Sequence, residues 1–420
     1  MNRPYSSYKD SGIEWIGQIP KDWDIASIRA LCYLGRGRVI SNKEIANSLG
    51  EYPVYSSQTT ENGMMGRLNT YDFNGEYVTW TTDGANAGTV FHRQGKFNCT
   101  NVCGTLKAKA DKVFPKYLPY VLNLGTKCYV RYDINPKLMN NEMAGIRIPL
   151  PRIDEQKNIS RYLDRKTTQI DDLIAKQEKM IELLQEEYLA VINQVVTRGL
   201  DQNVSMKDSG VLWIGQIPLI WEMRKVGRSF RYIGSGTTPD SSEQEYYENG
   251  SIPWVITGDL NDDILRDSTK KITELAFNNF SALKMFPIGA ILIAMYGATI
   301  GKTAIVDFEG CCNQACCVLA DSAYFYNKFV FYWFVANKPN IISLGYGGGQ
   351  PNISQDAIKS LKLPCPMFEE QERIINFLDR KTAQINAQIG REQKSIKLLK
   401  EFRTSLISEV VTGKIDVRNN

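Results

Sequence analysis

The sequence predicts an α/β (α+β) protein in which two similar mixed domains are separated by a long antiparallel two-helix coiled coil, as a pseudo-twofold internal repeat. Three observations support this prediction. The chain of 420 residues matches itself twice, two long segments carry heptad patterns, and glycine-rich stretches with short β-branched runs lie between the matches. A hydrophobic share of 43% allows each domain its own core.

The two matches flank segments of different length. Residues 8–23 recur at 206–221, and both copies contain Lys-Asp-Ser-Gly-(Ile/Val)-x-Trp-Ile-Gly-Gln-Ile-Pro. The second match, at an offset of 215 residues, begins at Pro149 and Pro364 with Pro-x-Pro-x-x-x-Glu-Gln and continues as Leu-Asp-Arg-Lys-Thr. The first match has an offset of 198 residues. Because the two offsets differ, the two copies differ in length between the matches, and we call these intervening segments the inserts.

The inserts, about 24–147 and 222–362, are rich in glycine and aromatic residues and contain short β-branched runs, which favours strands and loops. They align faintly at an offset of 213. Asp83-Gly84 lies over Tyr296-Gly297 in that alignment, and the pair of cysteines that begins at Cys99 lies over Cys312 and Cys316. We expect the inserts to share a fold and to differ in their surfaces.

Two long helices are predicted after the inserts. No proline interrupts 154–197, where Leu163, Ile170, Leu184 and Val191 recur in sevens, and the second copy repeats the pattern at 369–411. Leu173 and Phe402 are expected to belong to the apolar stripes. A chain that folds its second domain after the first helix must return along the second helix, so we expect antiparallel packing. The predicted domains are a first mixed domain at 1–153 with repeated segment 8–23, a first helix at 154–200, a second mixed domain at 201–368 with repeated segment 206–221, and a second helix with a tail at 369–420.

Composition excludes several classes of protein. The polar start and the lack of an apolar run of about 20 residues predict a cytoplasmic protein without membrane contact. Nine cysteines fit a reducing compartment better than a disulfide framework. His92 is the single histidine, which excludes multi-histidine chemistry, and without an evident partner it is interpreted as a surface or core residue.

Two unlike domains held apart by a rigid spacer could bind two separated sites on one linear polymer. Double-stranded DNA is the leading candidate for that partner. Half-sites one helical turn apart lie about 34 Å from each other. Insert one carries 15 Lys and Arg against 10 Asp and Glu, whereas insert two carries 13 against 14. The second insert nevertheless has a local basic cluster at residues 224–231, so a basic face is possible in both.

The repeated motifs, together with Gly347-Gly-Gly-Gln-Pro-Asn-Ile-Ser354, resemble the specificity (S) subunit of type I restriction–modification systems over nearly the whole chain. The resemblance implies two target recognition domains, each recognising one half of a bipartite asymmetric DNA sequence, and helices that fix the gap. It also implies docking of two methyltransferase (M) subunits, through which restriction/translocase (R) subunits join. The chain departs from the pattern at Asn135-Pro136-Lys137, which stands where the second half has Gln350-Pro351-Asn352.

No catalytic motif is complete. The segment Gly297–Thr303 resembles a phosphate loop, but Tyr296 stands where its first glycine is required. The run Cys311–Cys317 is interpreted as buried thiols on one strand face rather than zinc ligands. Neither an adenine-methyltransferase motif at Asn135 nor a nuclease motif at Pro239 is continued. We therefore expect no catalysis and no cofactor bound by this chain, and the resemblance places S-adenosylmethionine, ATP and Mg on partner subunits.

Candidate DNA-binding residues are polar or basic side chains on insert loops, since these match base edges and phosphates. For each of them, a solvated loop residue is an equally good interpretation. The candidates are Arg36, Arg38, Lys43, Ser57, Gln58, Thr59, Asn62, Thr82, Asn86, Thr237, Thr238, Thr257, Asp259, Tyr296, Thr299, Lys302 and Gln350.

Two rival functions stay open on the sequence alone. The first is a self-contained enzyme that methylates or cuts DNA, and the second is a coiled-coil scaffold whose paired domains bind protein.

Overall fold

A computed structural model describes residues 4–48, 50–109, 111–132, 135–345 and 352–418. The chain forms two compact units: unit one extends to Glu178 and resumes at Lys394, and unit two is Lys179–Gln393. Each unit holds one insert, one copy of the repeated segments and part of both long helices. Within the described ranges, no helix combines the length and apolar character that crossing a membrane requires.

Unit one is built mainly on a six-stranded sheet with the strand order β4-β9-β7-β8-β5-β6, beside two separate two-stranded pairs, β1-β2 and β3-β10. Its strands are β1 Tyr8–Asp10, β2 Gln18–Pro20, β3 Asp24–Ser27, β4 Cys32–Arg36, β5 Tyr52–Tyr55, β6 Met64–Leu68, β7 Phe73–Thr81, β8 Val90–Cys99, β9 Cys103–Ala108 and β10 Arg147–Leu150. Its short helices are α1 Ile28–Leu31, α2 Asn42–Ala46, α3 Tyr117–Gly125 and α4 Asn140–Gly145. The long helix α5 follows at Ile153–Arg198.

Unit two repeats this plan with its central strands divided between a five-stranded sheet, β14-β21-β18-β19-β16, and a three-stranded sheet, β17-β15-β20. Its strands are β11 Met206–Asp208, β12 Gln216–Pro218, β13 Glu222–Lys225, β14 Phe230–Gly234, β15 Ile252–Val255, β16 Asp263–Leu265, β17 Lys271–Ile272, β18 Ile291–Ala294, β19 Thr303–Val306, β20 Cys311–Cys312, β21 Cys316–Ser322 and β22 Lys362–Cys365. Its short helices are α6 Val226–Ser229, α7 Glu274–Asn279, α8 Asn327–Ala336, α9 Lys338–Ile342 and α10 Gln355–Ser360. The second long helix, α11, is Phe368–Val411.

The two long helices confirm the heptad prediction. Helices α5 and α11 have 46 and 44 residues, which at about 1.5 Å per residue gives lengths of roughly 69 and 66 Å. The predicted stripe residues Leu163 and Ile170 are buried on α5, and Leu378 is buried on α11. The prediction is wrong for two stripe residues, Leu173 and Phe402, because 48% and 56% of their surfaces are exposed.

The helices run antiparallel, as predicted. In unit one the Asp171 carboxylate pairs with Arg403 at 2.9 Å, and six residues further along α5 the Gln177 amide donates to Ser395 Oγ at 2.8 Å. The partner number on α11 falls as the number on α5 rises, which requires opposite directions.

The repeated Glu-Gln dipeptide places a buried glutamine near the start of each long helix, at its junction with the segment before α3 or α8. In unit one the Gln156 amide accepts from the backbone N–H of Phe114 at 2.8 Å and donates to the carbonyl of Pro151 at 2.8 Å. In unit two Gln371 accepts from the Tyr326 N–H at 2.9 Å and donates to the Pro366 carbonyl at 2.9 Å. Each glutamine thus joins the segment before α3 or α8 to the start of the long helix.

The repeated Leu-Asp-Arg-Lys-Thr motif supplies a second junction. Tyr120 on α3 donates its hydroxyl proton to Asp164 at 2.5 Å, and Tyr332 on α8 donates to Asp379 at 2.6 Å. Burial and this hydrogen bond to a carboxylate both raise the pKa of Tyr332, so the phenol stays protonated and remains a donor. The sequence identity of the two copies therefore reflects a shared way of fixing a short helix, α3 or α8, on a long helix.

Replacing a junction glutamine should destabilise its unit. We expect Gln371→Ala to lower the free energy of unfolding by about 1–3 kcal/mol, because the Tyr326 N–H and the Pro366 carbonyl lose their partner in a buried site. Urea unfolding followed by circular dichroism measures the change.

The matched control is Gln169→Ala, which removes an exposed amide on α5 and should change stability by less than about 0.5 kcal/mol. Equal stability of the two variants would contradict the assigned role of Gln371.

Candidate nucleic-acid interface

In unit one, loops from separate strands meet at one place, which we call the loop edge of unit one: residues 36–38, 56–62, 82–88 and 99–103. Arg36 links two of these loops, since its Nε donates to the Asn101 carbonyl at 2.5 Å and its guanidinium lies 3.7 Å from the Asp83 carboxylate. The Asn86 amide donates to the Ser57 carbonyl at 3.1 Å and joins the loop 82–88 to the loop 56–62. The four loops therefore form a single surface.

The pairing of β7 with β9 brings two of these loops together. Thr81 lies opposite Cys103 in that antiparallel ladder, and beyond it the Thr82 N–H donates to the Val102 carbonyl at 2.9 Å. In the longer β7-β8 ladder, Gly75 and Gly95 face each other with φ of 118° and 90°, values that an L side chain rarely adopts. Glycine is thus favoured at both of these positions.

Unit two has a corresponding loop edge: residues 235–238, 256–259, 295–302 and 312–316. Gln314 is its centre, since its carbonyl accepts from the Tyr296 hydroxyl at 2.6 Å and its side-chain oxygen accepts from the Thr238 hydroxyl at 2.7 Å. The Asn313 N–H donates to the Val255 carbonyl at 3.0 Å and connects the turn between β20 and β21 to the loop after β15.

The two loop edges share backbone geometry. In the turns that the sequence aligns, Gly84 and Gly297 both have positive φ, 90° and 76°. At the first loops, a Cβ on Gly37 would lie 2.2 Å from the Cys99 carbonyl oxygen, and one on Gly236 would lie 1.7 Å from that of Cys312. Only glycine fits at these two positions, so the inserts hold their loops in the same way.

A fifth segment completes the correspondence. Lys137 forms an isolated β-bridge with Asp83, and Asn352 forms one with Tyr296. The departure in sequence at Asn135-Pro136-Lys137 therefore leaves the attachment to the glycine turn unchanged. Gln350 and Pro351 lie outside the described residues, so the predicted contact of Gln350 stays a prediction.

Three predicted residues of insert one, Arg36, Ser57 and Asn86, lie together on the loop edge through the contacts given above. Thr82 is a correction: its side chain is fully buried and donates to Asp83 at 2.6 Å, so it orients that carboxylate and cannot reach a ligand.

The remaining predicted residues of insert one lie on the first and second loops and on α2. Arg38 pairs with Glu44 at 2.7 Å and with Asp72 at 3.0 Å, while Lys43 is exposed on α2. Within the loop after β5, the Gln58 amide donates to the Met64 carbonyl, the Asn62 carbonyl accepts from Arg93 at 2.7 Å, and Thr59 is exposed.

In insert two, Thr238 and Tyr296 lie together at Gln314. The Thr237 carbonyl accepts from the Trp254 indole at 3.1 Å, and Thr257 is half-buried. Two other candidates, Thr299 and Lys302, lie in the turn that contains Gly297, and both are half-buried.

Asp259 is a second correction. Its side chain is buried, with one carboxylate oxygen accepting from the Ile256 N–H at 3.0 Å and the other from the Thr269 hydroxyl at 2.6 Å. It stabilises the loop from inside.

The cysteines of the run Cys311–Cys317 are buried, as predicted, but their placement differs. Cys99 ends β8 and Cys103 begins β9, and Cys312 and Cys316 likewise occupy successive strands instead of one strand face. Burial raises the pKa of Cys312 to about 12, which keeps this thiol protonated. The described part of the chain contains no group of three or more metal-ligating side chains.

His92 has a partner, contrary to the expectation from sequence. Its Nε2 lies 2.7 Å from a Glu76 carboxylate oxygen on the neighbouring strand β7, so it belongs to a cross-strand pair.

Sequence reasoning missed Asn101 and Gln314. Both stand at the middle of a Cys-x-x-x-Cys segment, and both are exposed in the turn between two successive strands. The same offset of 213 residues that aligns the cysteines also aligns these two positions, which is the sequence signal for them.

Comparison with known proteins agrees with this doubled architecture. The family model described as "Type I restriction modification DNA specificity domain" matches residues 20–183 and again 218–397. The type I restriction enzyme MpnII specificity subunit of Mycoplasma pneumoniae is 38% identical over 161 residues, which are 38% of this chain and 48% of that relative. The chain therefore spans about half the length of that curated relative.

Two solved structures share the fold. A chain from "Structural basis underlying complex assembly and conformational transition of the type I R-M system" superposes with a TM-score of 0.72 at 15% identity, over 94% of this chain and 99% of that chain. The HsdS subunit from Thermoanaerobacter tengcongensis gives a TM-score of 0.52 at 16% identity, over 94% and 98%. Since the family model covers most of the sequence in two copies, this chain belongs to the type I restriction modification DNA specificity domain family.

Proposed function

We propose that this chain is the DNA sequence-specificity subunit of a type I restriction–modification complex, and that the loop edge of each unit contacts one half of a bipartite asymmetric DNA sequence. The observation that carries the proposal is the pair of loop edges with matching backbones and different side chains. Asp83 and Asn101 stand in one copy where Tyr296 and Gln314 stand in the other. Two domains that recognise different half-sites need the same support and different contacts.

The loop edge of unit one offers cations for phosphate contacts. Arg36 on this edge is exposed, and the ion pairs of Arg38 are also solvent-exposed. Lys43 is exposed on α2, which adjoins the edge through the ion pair of Glu44 with Arg38. Exposed ion pairs contribute about 0–1 kcal/mol, so a DNA phosphate can replace a carboxylate at Arg38 at small cost. In unit two, a cavity of 630 Å³ beside Thr238 is bordered by Lys270 and Lys271.

The chemistry of modification and cleavage belongs to partner subunits in this proposal. Two M subunits dock on the chain, R subunits join through them, and S-adenosylmethionine, ATP and Mg bind to those partners. The relative from Mycoplasma pneumoniae is named a specificity subunit of a restriction enzyme, which supports a recognition role without catalysis. A self-contained enzyme lacks support from the family match.

The long helices set the gap between half-sites in this proposal. Helix α5 passes without interruption from Glu178 in unit one to Lys179 in unit two, and α11 passes from Gln393 to Lys394 in the reverse order. Uninterrupted helices transmit a fixed length between the units, whereas a flexible linker would not.

Lengthening both helices should therefore change the gap. We expect matched insertions of seven residues near residue 180 in α5 and residue 390 in α11 to lengthen the preferred gap, because each insertion adds about 10 Å of helix. Methylation-sensitive sequencing of DNA modified by the complex with its methyltransferase measures both half-sites and the gap. An unchanged gap would contradict the spacer role.

Exchanging one insert should change one half-site. If residues 24–147 are replaced by the corresponding insert of a relative with another specificity, we expect a new sequence in one half and the original sequence in the other. The same sequencing experiment checks this result. A change in both halves would contradict the assignment of one half-site to each unit.

DNA binding by the complex should depend on salt through Lys43. Each phosphate contact that is lost reduces the slope of log affinity against log salt by about 0.9. We expect Lys43→Ala to reduce the slope by about that amount without altering sequence preference, and Lys43→Arg to preserve it. Titration of labelled duplex at 50–200 mM salt measures the slopes.

A slope near zero for the unaltered complex would favour the rival function, a scaffold that binds protein. An unchanged slope for Lys43→Ala would remove Lys43 from the interface.

A further inference from the structure

Two equivalent turns, one between β8 and β9 and one between β20 and β21, present one amide side chain each. The Cys103 N–H donates to the Thr100 carbonyl at 3.0 Å, and the Cys316 N–H donates to the Asn313 carbonyl at 3.4 Å. These bonds close four-residue turns, 100–103 and 313–316, in which Asn101 and Gln314 both occupy the second position. Both side chains are exposed, and we call these two residues the tip residues.

The backbone of each tip residue is held by a side chain from another loop. Arg36 donates to the Asn101 carbonyl at 2.5 Å, and Tyr296 donates to the Gln314 carbonyl at 2.6 Å. The donors differ in chemistry and come from different loops, yet they hold the same carbonyl. Because a different donor holds the same backbone carbonyl in each unit, we infer that the position of the tip residue is important for function.

The neighbouring turn residues are directed inward. Thr100 is 3% exposed, and its hydroxyl donates to Ser56 Oγ at 3.1 Å. Asn313 uses its side-chain oxygen to accept from the Ala315 N–H at 3.1 Å inside the turn. The tip residue is therefore the exposed polar side chain of each turn.

The two tip residues differ in whether a hydrogen bond orients the side-chain amide. The Thr238 hydroxyl donates to Gln314 Oε1 at 2.7 Å, which orients the longer side chain and leaves its NH₂ group as a donor. The oxygen retains a second lone pair for another donor. Among the described residues, no hydrogen bond engages the Asn101 side chain, which is shorter and has fewer rotamers to fix.

Resting on the proposed function, we propose that Asn101 and Gln314 are specificity-determining residues, each of which hydrogen-bonds the major-groove edge of one base in its half-site. An amide carries a donor and an acceptor in one plane, which matches the N6 and N7 atoms of adenine and the edge of no other base equally well. Each tip should thus recognise an adenine at one position of its half-site.

The experiment uses the full chain in complex with its methyltransferase and a panel of duplexes in which each base pair of both half-sites is varied in turn. We expect Asn101→Ala to lower affinity for the preferred duplex by about 5- to 150-fold and to remove the preference for adenine at one position of one half-site. Gln314→Ala should do the same at one position of the other half-site.

Matched controls are Gln169→Ala and Gln384→Ala, which remove exposed amides at equivalent positions of α5 and α11. They should leave every base preference unchanged. Thermal melting of each complex verifies that the variants fold, and Asn101→Asp, which keeps the shape but removes the donor, should also lose the adenine preference.

The inference is overturned if Asn101→Ala and Gln314→Ala retain all base preferences of the unaltered complex, or if they weaken binding equally on every duplex, as loss of a phosphate contact would. These outcomes are distinct from failure of the proposed function, in which the unaltered complex itself shows no preference in either half-site.

Discussion

The architecture depends on one buried hydrogen-bonded glutamine in each unit. Gln156 and Gln371 join the segment before α3 or α8 to the start of a long helix by accepting from a backbone N–H and donating to a backbone carbonyl where water cannot replace either bond. Loss of such a partner exposes two polar groups to an apolar surrounding, which costs more than the hydrogen bond itself contributes. The chain uses this device twice, and the Tyr–Asp bonds beside it fix the same two elements from a second direction.

The repeat contains two kinds of residue, those that hold the junctions with the long helices and those that form the loop edges. Residues at the junctions are identical in both copies because they bond to backbone groups whose geometry is the same. Residues at the loop edges differ, since their side chains face outward while glycines such as Gly37 and Gly236 keep the loops in place. A protein that must recognise two unlike DNA segments with one kind of domain requires this division between support and contact.

The sequence predicted the architecture well because its strongest signals are periodic. Heptads predicted both long helices, and the two offsets predicted fixed segments around variable inserts. The individual contacts were harder to predict. Thr82 and Asp259 have residue types that suit DNA, yet both are buried and support loops, since a hydroxyl or carboxylate also satisfies backbone donors and nearby side chains. Leu173 and Phe402 fit the apolar pattern but are exposed, because a helix pair buries a narrower stripe than the pattern suggested. Asn101 and Gln314 are aligned by the same offset as the cysteines, but the alignment alone does not show that each stands exposed in a turn whose backbone another loop holds.

The most direct test of the central claim is a cryo-electron microscopy structure of this chain and its methyltransferase on a duplex that the complex modifies. Our account predicts that the turns 100–103 and 313–316 enter the major groove at two separate half-sites and that α5 and α11 make no base contacts. Density that places the DNA along the helices, or in contact with the loops of one unit alone, would contradict it.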